Sequence, residues 1–480
     1  MNTPLETVLK QRGQIRKVGV IGMGYVGIPS AALFAAVPHY EKVLGFQRDS
    51  KSSGYKIRML NQGECPLKGE EPGLDVLLKK VVNEGKFSCT SDFSKISELD
   101  AVTIAIQTPF LDPKDLIPDF SALVEGISLA GKYIDTGALV VLESTITPGT
   151  TMGMAKDLLE KESGMEAGQD FALAHAPERV MVGRLLRNIR EHDRIVGGID
   201  AASTLRAQEL YSPVLTKGRI IPMSATAAEV TKTAENTFRD LQIAAVNELA
   251  LYCEAMGINV YDVREGVASL KEENVTRAIL WPGAGVGGHC LTKDTYHLER
   301  GVKTLGAGLL DYPQGKESLF TLARNINDFM PGHMANLTVA GLDRAGQNTE
   351  GARIALLGWA FIADSDDARN TPSEVYHDLM KGKGAEIVIH DPYVEHFPGI
   401  KVERDLEVVL REASAAVIFA GHSEYRTLDP VKMNDLMGKT RPVMIDGRNM
   451  VEPDRFIQKG WIYKGIGRGD KNSHMLKGSQ

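Results

Sequence analysis

Short apolar runs alternate along this chain with longer segments of helical spacing. "KVGVIG" (17–22), "KVLGFQ" (42–47), "AVTIAI" (101–106), "ALVVLEST" (138–145) and "RIVGG" (194–198) read as strands of an open parallel sheet. A second series begins near residue 352 with "RIALLGWAF", a helical "SEVYHDLMKGKG" and "EIVIHDPYV". "AAVIFAGHSEY" and "PVMIDGRN" follow as strands that end in polar loops. Between the two series, Met223 to Met256 lacks glycine and proline and predicts one helix of 34 residues, about 50 Å long. Val230, Ala234, Leu241, Ala245 and Tyr252 form an apolar stripe on it, and Glu229, Lys232, Asn236 and Arg239 a polar one. A polar stripe is ordinarily a solvated face. The alternative here is a helix that lines a cleft on one side and packs domains or subunits on the other. The pattern predicts an α/β protein of two lobes joined by a long central helix.

The first strand runs into "GMGYVG", with Gly22, Gly24 and Gly27 at G-x-G-x-x-G spacing before a small-residue helix. In a strand–turn–helix–strand setting this is the dinucleotide-binding fingerprint. The first glycine allows the tight turn, the second the approach of a pyrophosphate, and the third the packing of helix on strand. Thr108 in "QTP" and Thr145 in "ESTITPGT" follow strand ends, where an open parallel sheet places its ligands. The second lobe has only Gly358 in its first turn, which predicts a Rossmann-like nucleotide domain that does not take a dinucleotide.

Composition narrows the class. The 480 residues are 43% hydrophobic and 24% charged, with net charge −7, so no basic field argues for nucleic acid or a membrane surface. Four cysteines without metal spacing suggest a reducing compartment, and the charged N-terminal stretch has no signal-peptide core. With no run of 18 apolar residues, a cytoplasmic protein is expected.

One cysteine stands apart. "PGAGVGGHCLTKD" (282–294) sets Cys290 behind Gly283, Gly285, Gly287 and Gly288 and just before Lys293 and Asp294. A lone cysteine is ordinarily a core filler. The flexible loop and the charged pair favour a nucleophile instead. An alcohol-to-carbonyl oxidation needs a base and no thiol. A thiolate, however, traps an aldehyde as a hemithioacetal, whose oxidation leaves a thioester that water opens to an acid. Lys293 and Lys232 are candidates to stabilise the thiolate or oxyanion, and Asp294 to orient a base or water.

The motifs "GMGYVG", "QTP", "ESTITPGTT", "APERVMVG", "AEVTKTAENTFRD", "GVGGHCLTKD", "ARNINDFMP", "DDARNTPSE" and "DGRN" together resemble the UDP-glucose/UDP-N-acetylmannosamine dehydrogenase family. The resemblance extends over nearly the whole chain and favours the N-acetylhexosamine branch. It implies an NAD-binding Rossmann domain (1–215), a central helical dimerisation region (216–331) and a UDP-sugar-binding Rossmann-like domain (332–480). The implied reaction is the NAD-dependent, four-electron oxidation of the C6 alcohol of a UDP-N-acetylhexosamine to a uronate for surface polysaccharide, in a cytoplasmic homodimer. Carried over by motif, Cys290 is the nucleophile, Lys232 the catalytic lysine, and Asn236 the amide near the oxyanion. Asp294 and Glu178 become acid/base and water-activating carboxylates, and Thr145 lies near the nicotinamide. Gly22, Gly24, Tyr25, Val26, Gly27, Gln47, Arg48, Thr108, Thr145 and Lys293 are implied at the cofactor. Arg179, Val180, Lys232, Asn236, Arg239, Arg277, Gly287, Phe361, Arg369 and Arg448 are implied at the substrate.

Three departures qualify the match. The second strand ends in Gln47-Arg48-Asp49 where an acid normally holds the ribose diol, which opens a route to a 2′-phosphate; NAD remains the expectation. Ile362 replaces a lysine usual after "AF", and Arg277 is out of clean register with an arginine that reaches across a dimer. "GGHC" and "PERV" lean toward acetamido sugars, "LTKD" toward glucose. The alternatives are a UDP-glucose 6-dehydrogenase, a two-electron hydroxyacid dehydrogenase, and an inactive nucleotide-binding protein.

Overall fold

The computed structural model describes residues 3–67, 71–110, 117–181, 183–269, 279–288, 290–305 and 317–469. They divide into two compact units, residues 1–235 with 293–311, and residues 236–292 with 312–480.

The first unit holds an eight-stranded sheet of β1 (Lys17–Ile21), β2 (Lys42–Phe46), β3 (Phe87–Thr90), β4 (Ala101–Ile104), β5 (Leu139–Leu142), β6 (Ala172–His175), β7 (Arg194–Gly198) and β8 (Ile220–Ser224). The spatial order is 3-2-1-4-5-6-7-8, with β1 to β6 all parallel and β7 antiparallel to β6. The first six strands thus have the doubly wound dinucleotide-fold order. Successive residues of β5 supply opposite layers. Leu139 and Val141 join one buried cluster and Val140 and Leu142 the other, so the strand reads as an unbroken apolar run. Helices that position the site are α1 (Gly27–Ala36), α2 (Ser121–Tyr133) and α3 (Ala201–Tyr211).

The second unit repeats the plan. β9 (Arg353–Leu357), β10 (Glu386–His390), β11 (Val402–Glu403), β12 (Ala415–Ile418), β13 (Val443–Asp446) and β14 (Ile462–Gly465) form a wholly parallel sheet in the order 11-10-9-12-13-14. Counted from its own first strand, that is again 3-2-1-4-5-6. Its first turn is closed by its own side chains. Asp391, at the end of β10 in the place Gln47 holds after β2, accepts the Trp359 and Ala360 amides at 2.7 and 2.8 Å through one oxygen. Its other oxygen accepts Tyr393 and Val394 at 2.9 and 3.0 Å, and His422 Nε2 donates to the first at 3.1 Å.

The long helix, α4 (Ala225–Ala255), carries the chain from the first unit into the second. Its 31 residues span about 46 Å. It starts two residues later than the glycine- and proline-free stretch suggests, because Met223 and Ser224 pair with Gly197 and Gly198 as the end of β8. The two stripes do not divide into a solvated polar face and a buried apolar one. Glu229 and Lys232 of the polar stripe are buried, while Val230, Ala245 and Tyr252 of the apolar stripe are exposed. Further along the chain come α5 (Asp294–Leu305) and α6 (Leu319–Ala345). Asp240 of α4 and Arg324 of α6, both buried, form an ion pair at 2.5 Å. Burial raises the Asp240 pKa, and Arg324 and Asn327 oppose that shift.

Candidate active site

The glycine turn after β1 has a different reason at each glycine. Gly22 has φ +101°, and a Cβ there would lie 2.5 Å from the Ala105 carbonyl oxygen. A Cβ on Gly27 would lie 1.9 Å from the Gly22 carbonyl oxygen. A Cβ on Gly24 would meet nothing within 4 Å. Two glycines therefore hold the turn closed while the middle one leaves open backbone at the N-terminus of α1, beside the half-buried Tyr25 and Val26. That is the cradle a pyrophosphate requires, at the positive end of a helix. Gln47 is fixed at the end of β2, accepting the Met23 amide at 3.3 Å and donating to Ser53 at 3.0 Å. Arg48 is paired at 2.6 Å with Glu125 of α2. Past β4 and β5, the Thr108 hydroxyl donates to the Thr145 carbonyl at 2.7 Å. These residues fit a dinucleotide.

Beyond the ends of β5 and β6, at the start of β7, lies a buried charge cluster. Arg194 donates to Glu143 at 2.7 Å and to the Ala176 carbonyl at 2.9 Å, and forms an ion pair with Glu178. Tyr211 of α3 lies under the guanidinium at 4.2 Å and gives its hydroxyl to Glu143 at 2.7 Å. His175 is completely buried beside them. Burial pushes its pKa down to about 3, and the charges of Arg194 and Lys232 act in the same direction. Glu229, three residues before Lys232, clamps the loop after β5 by accepting the Gly149 and Thr151 amides and the Thr151 hydroxyl at 2.6–2.7 Å. Burial still raises its pKa. Arg179 is engaged on both arms, by Glu235 at 3.5 Å and by the Asp193 carbonyl; Val180 beside it is half-buried.

Lys293 and Asp294, buried at the start of α5, belong to the same unit. The Lys293 ammonium lies 3.5 Å from Thr108 Oγ1, 3.4 Å from His297 Nε2 and 3.5 Å from Asp294. His297 contacts Thr147 Oγ1 at 3.1 Å through its other nitrogen and stacks near Phe110 and Phe120. Lys293 is thereby placed against a threonine expected at the cofactor.

In the second unit the glycine loop is read differently from its sequence. The flexibility expected there leaves room for ligands, yet the space beside these glycines is filled by protein. A Cβ on Gly288, which has φ +92°, would lie 2.7 Å from the Phe361 ring. One on Gly287 would lie 2.6 Å from Phe361 Cβ, and one on Gly285 2.8 Å from Pro372. The loop is also tied by hydrogen bonds. Gly288 donates to the Arg369 carbonyl at 2.9 Å, and its carbonyl accepts Thr292 at 2.7 Å and Asn370 at 3.2 Å. Cys290, two residues on, is partly exposed. The other three thiols are disfavoured as thiolates: burial pushes Cys89 up to about 12 and raises Cys65 and Cys253. Arg448 is half-buried, donating to the Phe419 and Phe361 carbonyls at 2.8 and 3.3 Å, and desolvation lowers its pKa. Arg369 makes a two-point pair with Asp367 at 2.8 and 2.5 Å. Asn236 is half-buried and Arg239 exposed on α4; Arg277 lies outside the described residues.

Residues 16–215, 226–328 and 355–453 match, in that order, the NAD binding, central and UDP binding domains of the UDP-glucose/GDP-mannose dehydrogenase family. The chain belongs to that family. It is 37% identical over 454 residues to a UDP-N-acetyl-D-mannosamine dehydrogenase of Pyrococcus horikoshii, covering 95% of this chain and all of the relative. A crystal structure of an NDP-N-acetyl-D-galactosaminuronic acid dehydrogenase from Methanosarcina mazei shares 70% identity at TM-score 0.91, over 99% of this chain and all of that one. A UDP-glucose dehydrogenase from Pyrobaculum islandicum superimposes at TM-score 0.79 with 25% identity, over 95% and 99%. The first lobe is thus an NAD-binding domain, NAD is the cofactor, and the substrate class is nucleotide sugars.

Family membership makes both units parts of one oxidoreductase. The first unit brings together Thr108, Thr145 and Lys293 at one place, and Glu178 and Lys232 about the Arg194 cluster at another. Sequence reasoning did not single out Glu143, Arg194, Tyr211 or His297. Glu143 was visible as an acid closing an apolar run and Arg194 as a charge opening one. Nothing in their spacing joined them. Among the described residues no helix is long and apolar enough to cross a membrane.

Proposed function

We propose that this dehydrogenase oxidises the C6 alcohol of a UDP-N-acetylhexosamine to the carboxylate in two steps through a thioester on Cys290. The observation that carries the covalent step is the setting of Cys290. Cys89 and Cys253 are buried; of the two partly exposed thiols, Cys65 is raised by desolvation and by the Asp75 and Glu71 charges, and Cys290 lies three residues before a buried lysine, on a loop tied at Gly288. Relatives named for N-acetylmannosamine and N-acetylgalactosaminuronic acid support the acetamido class.

NAD bound at the glycine turn supplies a hydride acceptor for each oxidation. In the first step C6 gives up a hydride while Asp294, as base, takes the hydroxyl proton, leaving an aldehyde. The Cys290 thiolate then adds to the aldehyde carbon, and Lys232 with Asn236, one helical turn on, stabilises the oxyanion. Loss of the second hydride leaves the thioester. Water adds to its carbonyl carbon, Glu178 takes a proton from that water, and the C–S bond breaks to return the thiolate. Thr145 positions the water and nicotinamide. Arg369 and Arg448, with Phe361 and Gly287, hold the UDP-sugar, and Arg179, Val180 and Arg239 its acetamido end. Two NAD and one water are consumed per sugar.

The protein works as a homodimer in this reading. Phe238 and Tyr252 on α4 and Met256 just past it are 57–64% exposed, an apolar surface that a second copy would cover. The product serves as a uronate donor for surface polysaccharide.

The test is an NADH assay across UDP-N-acetylmannosamine, UDP-N-acetylgalactosamine, UDP-N-acetylglucosamine and UDP-glucose, with Cys290→Ser in parallel. Two NADH per acetamido sugar, and net oxidation lost in the variant, are expected. A preference for UDP-glucose overturns the sugar, and undiminished turnover of Cys290→Ser overturns the thioester. Sedimentation of the purified chain as a monomer overturns the dimer.

A further inference from the structure

Resting on the reading of Glu178 as the carboxylate that activates water, we propose that Arg194 is a positioning residue for thioester hydrolysis. It holds Glu178 ionised and aimed, and is itself braced by Glu143 and Tyr211. Arg194 is buried at the start of β7, while Glu178 lies beyond β6 and Glu143 just past β5. One guanidinium nitrogen pairs with Glu178; the other binds Glu143 at 2.7 Å and the Ala176 carbonyl at 2.9 Å. The Tyr211 ring lies 4.2 Å from the guanidinium carbon, and its hydroxyl occupies the same Glu143 oxygen at 2.7 Å. The guanidinium is thus held by a carboxylate, a carbonyl and a ring face, which fixes the nitrogen that meets Glu178. The Arg179 amide donates to the second Glu178 oxygen at 2.9 Å, completing its orientation.

Charge gives the arrangement its purpose. A buried carboxylate tends to take up a proton, and a protonated Glu178 accepts nothing from water. The other charged and titratable groups about this cluster are Glu143 just past β5, His175 on β6, Tyr211 on α3, Lys232 and Glu235 on α4, and Arg179. His175 is uncharged in the working range, since burial holds it neutral. Glu235 is matched with Arg179 at 3.5 Å. Arg194 is therefore the cation in direct ion-pair contact with Glu178. The step it serves transfers no electrons: water oxygen bonds to the thioester carbon, the C–S bond breaks to release thiolate, and one water proton passes to Glu178.

The experiment uses the full-length enzyme with NAD and its best UDP-sugar, comparing Arg194→Met, Arg194→Lys, Tyr211→Phe and Glu178→Gln. Steady-state kcat is measured against pH, with rapid-mixing NADH bursts and mass spectrometry of the acid-quenched protein. In Arg194→Met the acidic limb of kcat is expected to move up by about 1–3 pH units, the size of an opposite charge near a carboxylate. A burst of NADH followed by slow turnover, with sugar covalently bound to Cys290, accompanies it. Arg194→Lys restores part of the shift, and Tyr211→Phe shows a smaller one in the same direction. Glu178→Gln accumulates the adduct with no acidic limb to move. Should Glu178→Gln accumulate no adduct, the reading of Glu178 fails. Should it accumulate adduct while the Arg194 and Tyr211 variants lose activity with an unmoved pH limb and no burst, the reading stands and Arg194 is merely structural. If Arg194→Met does not fold, Arg194→Lys and Tyr211→Phe decide on the same readouts.

Discussion

Substituting alanine at Gly288 tests whether the loop before Cys290 is rigid because its glycines let it pack. The backbone there has φ +92°, and an added Cβ would lie 2.7 Å from two carbons of the Phe361 ring. The left-handed backbone costs about 1–2 kcal/mol for a residue with a Cβ. Forcing a methyl against a packed ring costs about 1–3 kcal/mol. Together Gly288→Ala is expected to destabilise its unit by about 2–5 kcal/mol, and at about 2–4 °C per kcal/mol its melting transition falls by several degrees or more. The shift also strains three hydrogen bonds, to Arg369, Thr292 and Asn370. Displacing a nucleophile by about 1 Å costs about 100-fold in rate, so kcat should fall by that order. The assay is thermal unfolding by circular dichroism with NADH formation on the same preparations, extended to Phe361→Ala and the double variant. Removing the ring relieves the clash and leaves the backbone strain, so the double variant should recover about 1–3 kcal/mol relative to additivity. Strict additivity, or a Gly288→Ala enzyme that melts and turns over like its parent, would refute the packing account.

Gly27→Ala places a Cβ 1.9 Å from the Gly22 carbonyl oxygen and should raise KM for NAD at least about tenfold with UDP-sugar KM little changed; equal effects on both would speak against a cofactor turn. Glu125→Ala releases Arg48 from its 2.6 Å ion pair, and activity with NADP should rise relative to NAD; an unchanged ratio shows that Arg48 does not reach the 2′ position. His175 predicts a stability change with pH. Its pKa is about 3 in the fold and about 6.5 unfolded, so below about pH 6.5 the unfolded chain binds a proton that the folded one refuses. Stability then falls on acidification, by about 1 kcal/mol between pH 7 and 5.5. His175→Gln should lose that component in melting curves across this range, and parallel pH profiles would remove His175 as the cause.

Much of the architecture was legible because it rests on local pattern. Strands covered on both faces are continuous apolar runs, so β1, β4, β5, β9, β12 and β13 stood out by composition. The glycine fingerprint was legible because backbone approach needs a missing Cβ at fixed spacing, and Gly22, Gly24 and Gly27 meet that need in three separate ways. The long helix was legible from the lack of breakers between Pro222 and Gly257, though its first turn went to β8, a long-range pairing no local pattern reports.

Tertiary structure decided how the charges are used. The polar stripe of α4 looked solvated by spacing, yet Glu229 is buried because the loop after β5 offers it three donors from residues 78 and 80 positions away. Arg48 stood out as a charge at the end of β2, and only the fold sets Glu125, 77 residues on, against it. The glycines before Cys290 read as flexible backbone, and only the fold shows that Phe361 and Pro372 pack against three of them. Glu143 and Glu178 follow the carboxyl ends of the parallel strands β5 and β6, and Arg194 meets them because β7 runs antiparallel to β6 and so begins at that edge. The sequence by itself determined the strands, the turns and the family. Which buried charge faces which was decided only by the fold, because a charge can leave water only where the fold brings it a partner.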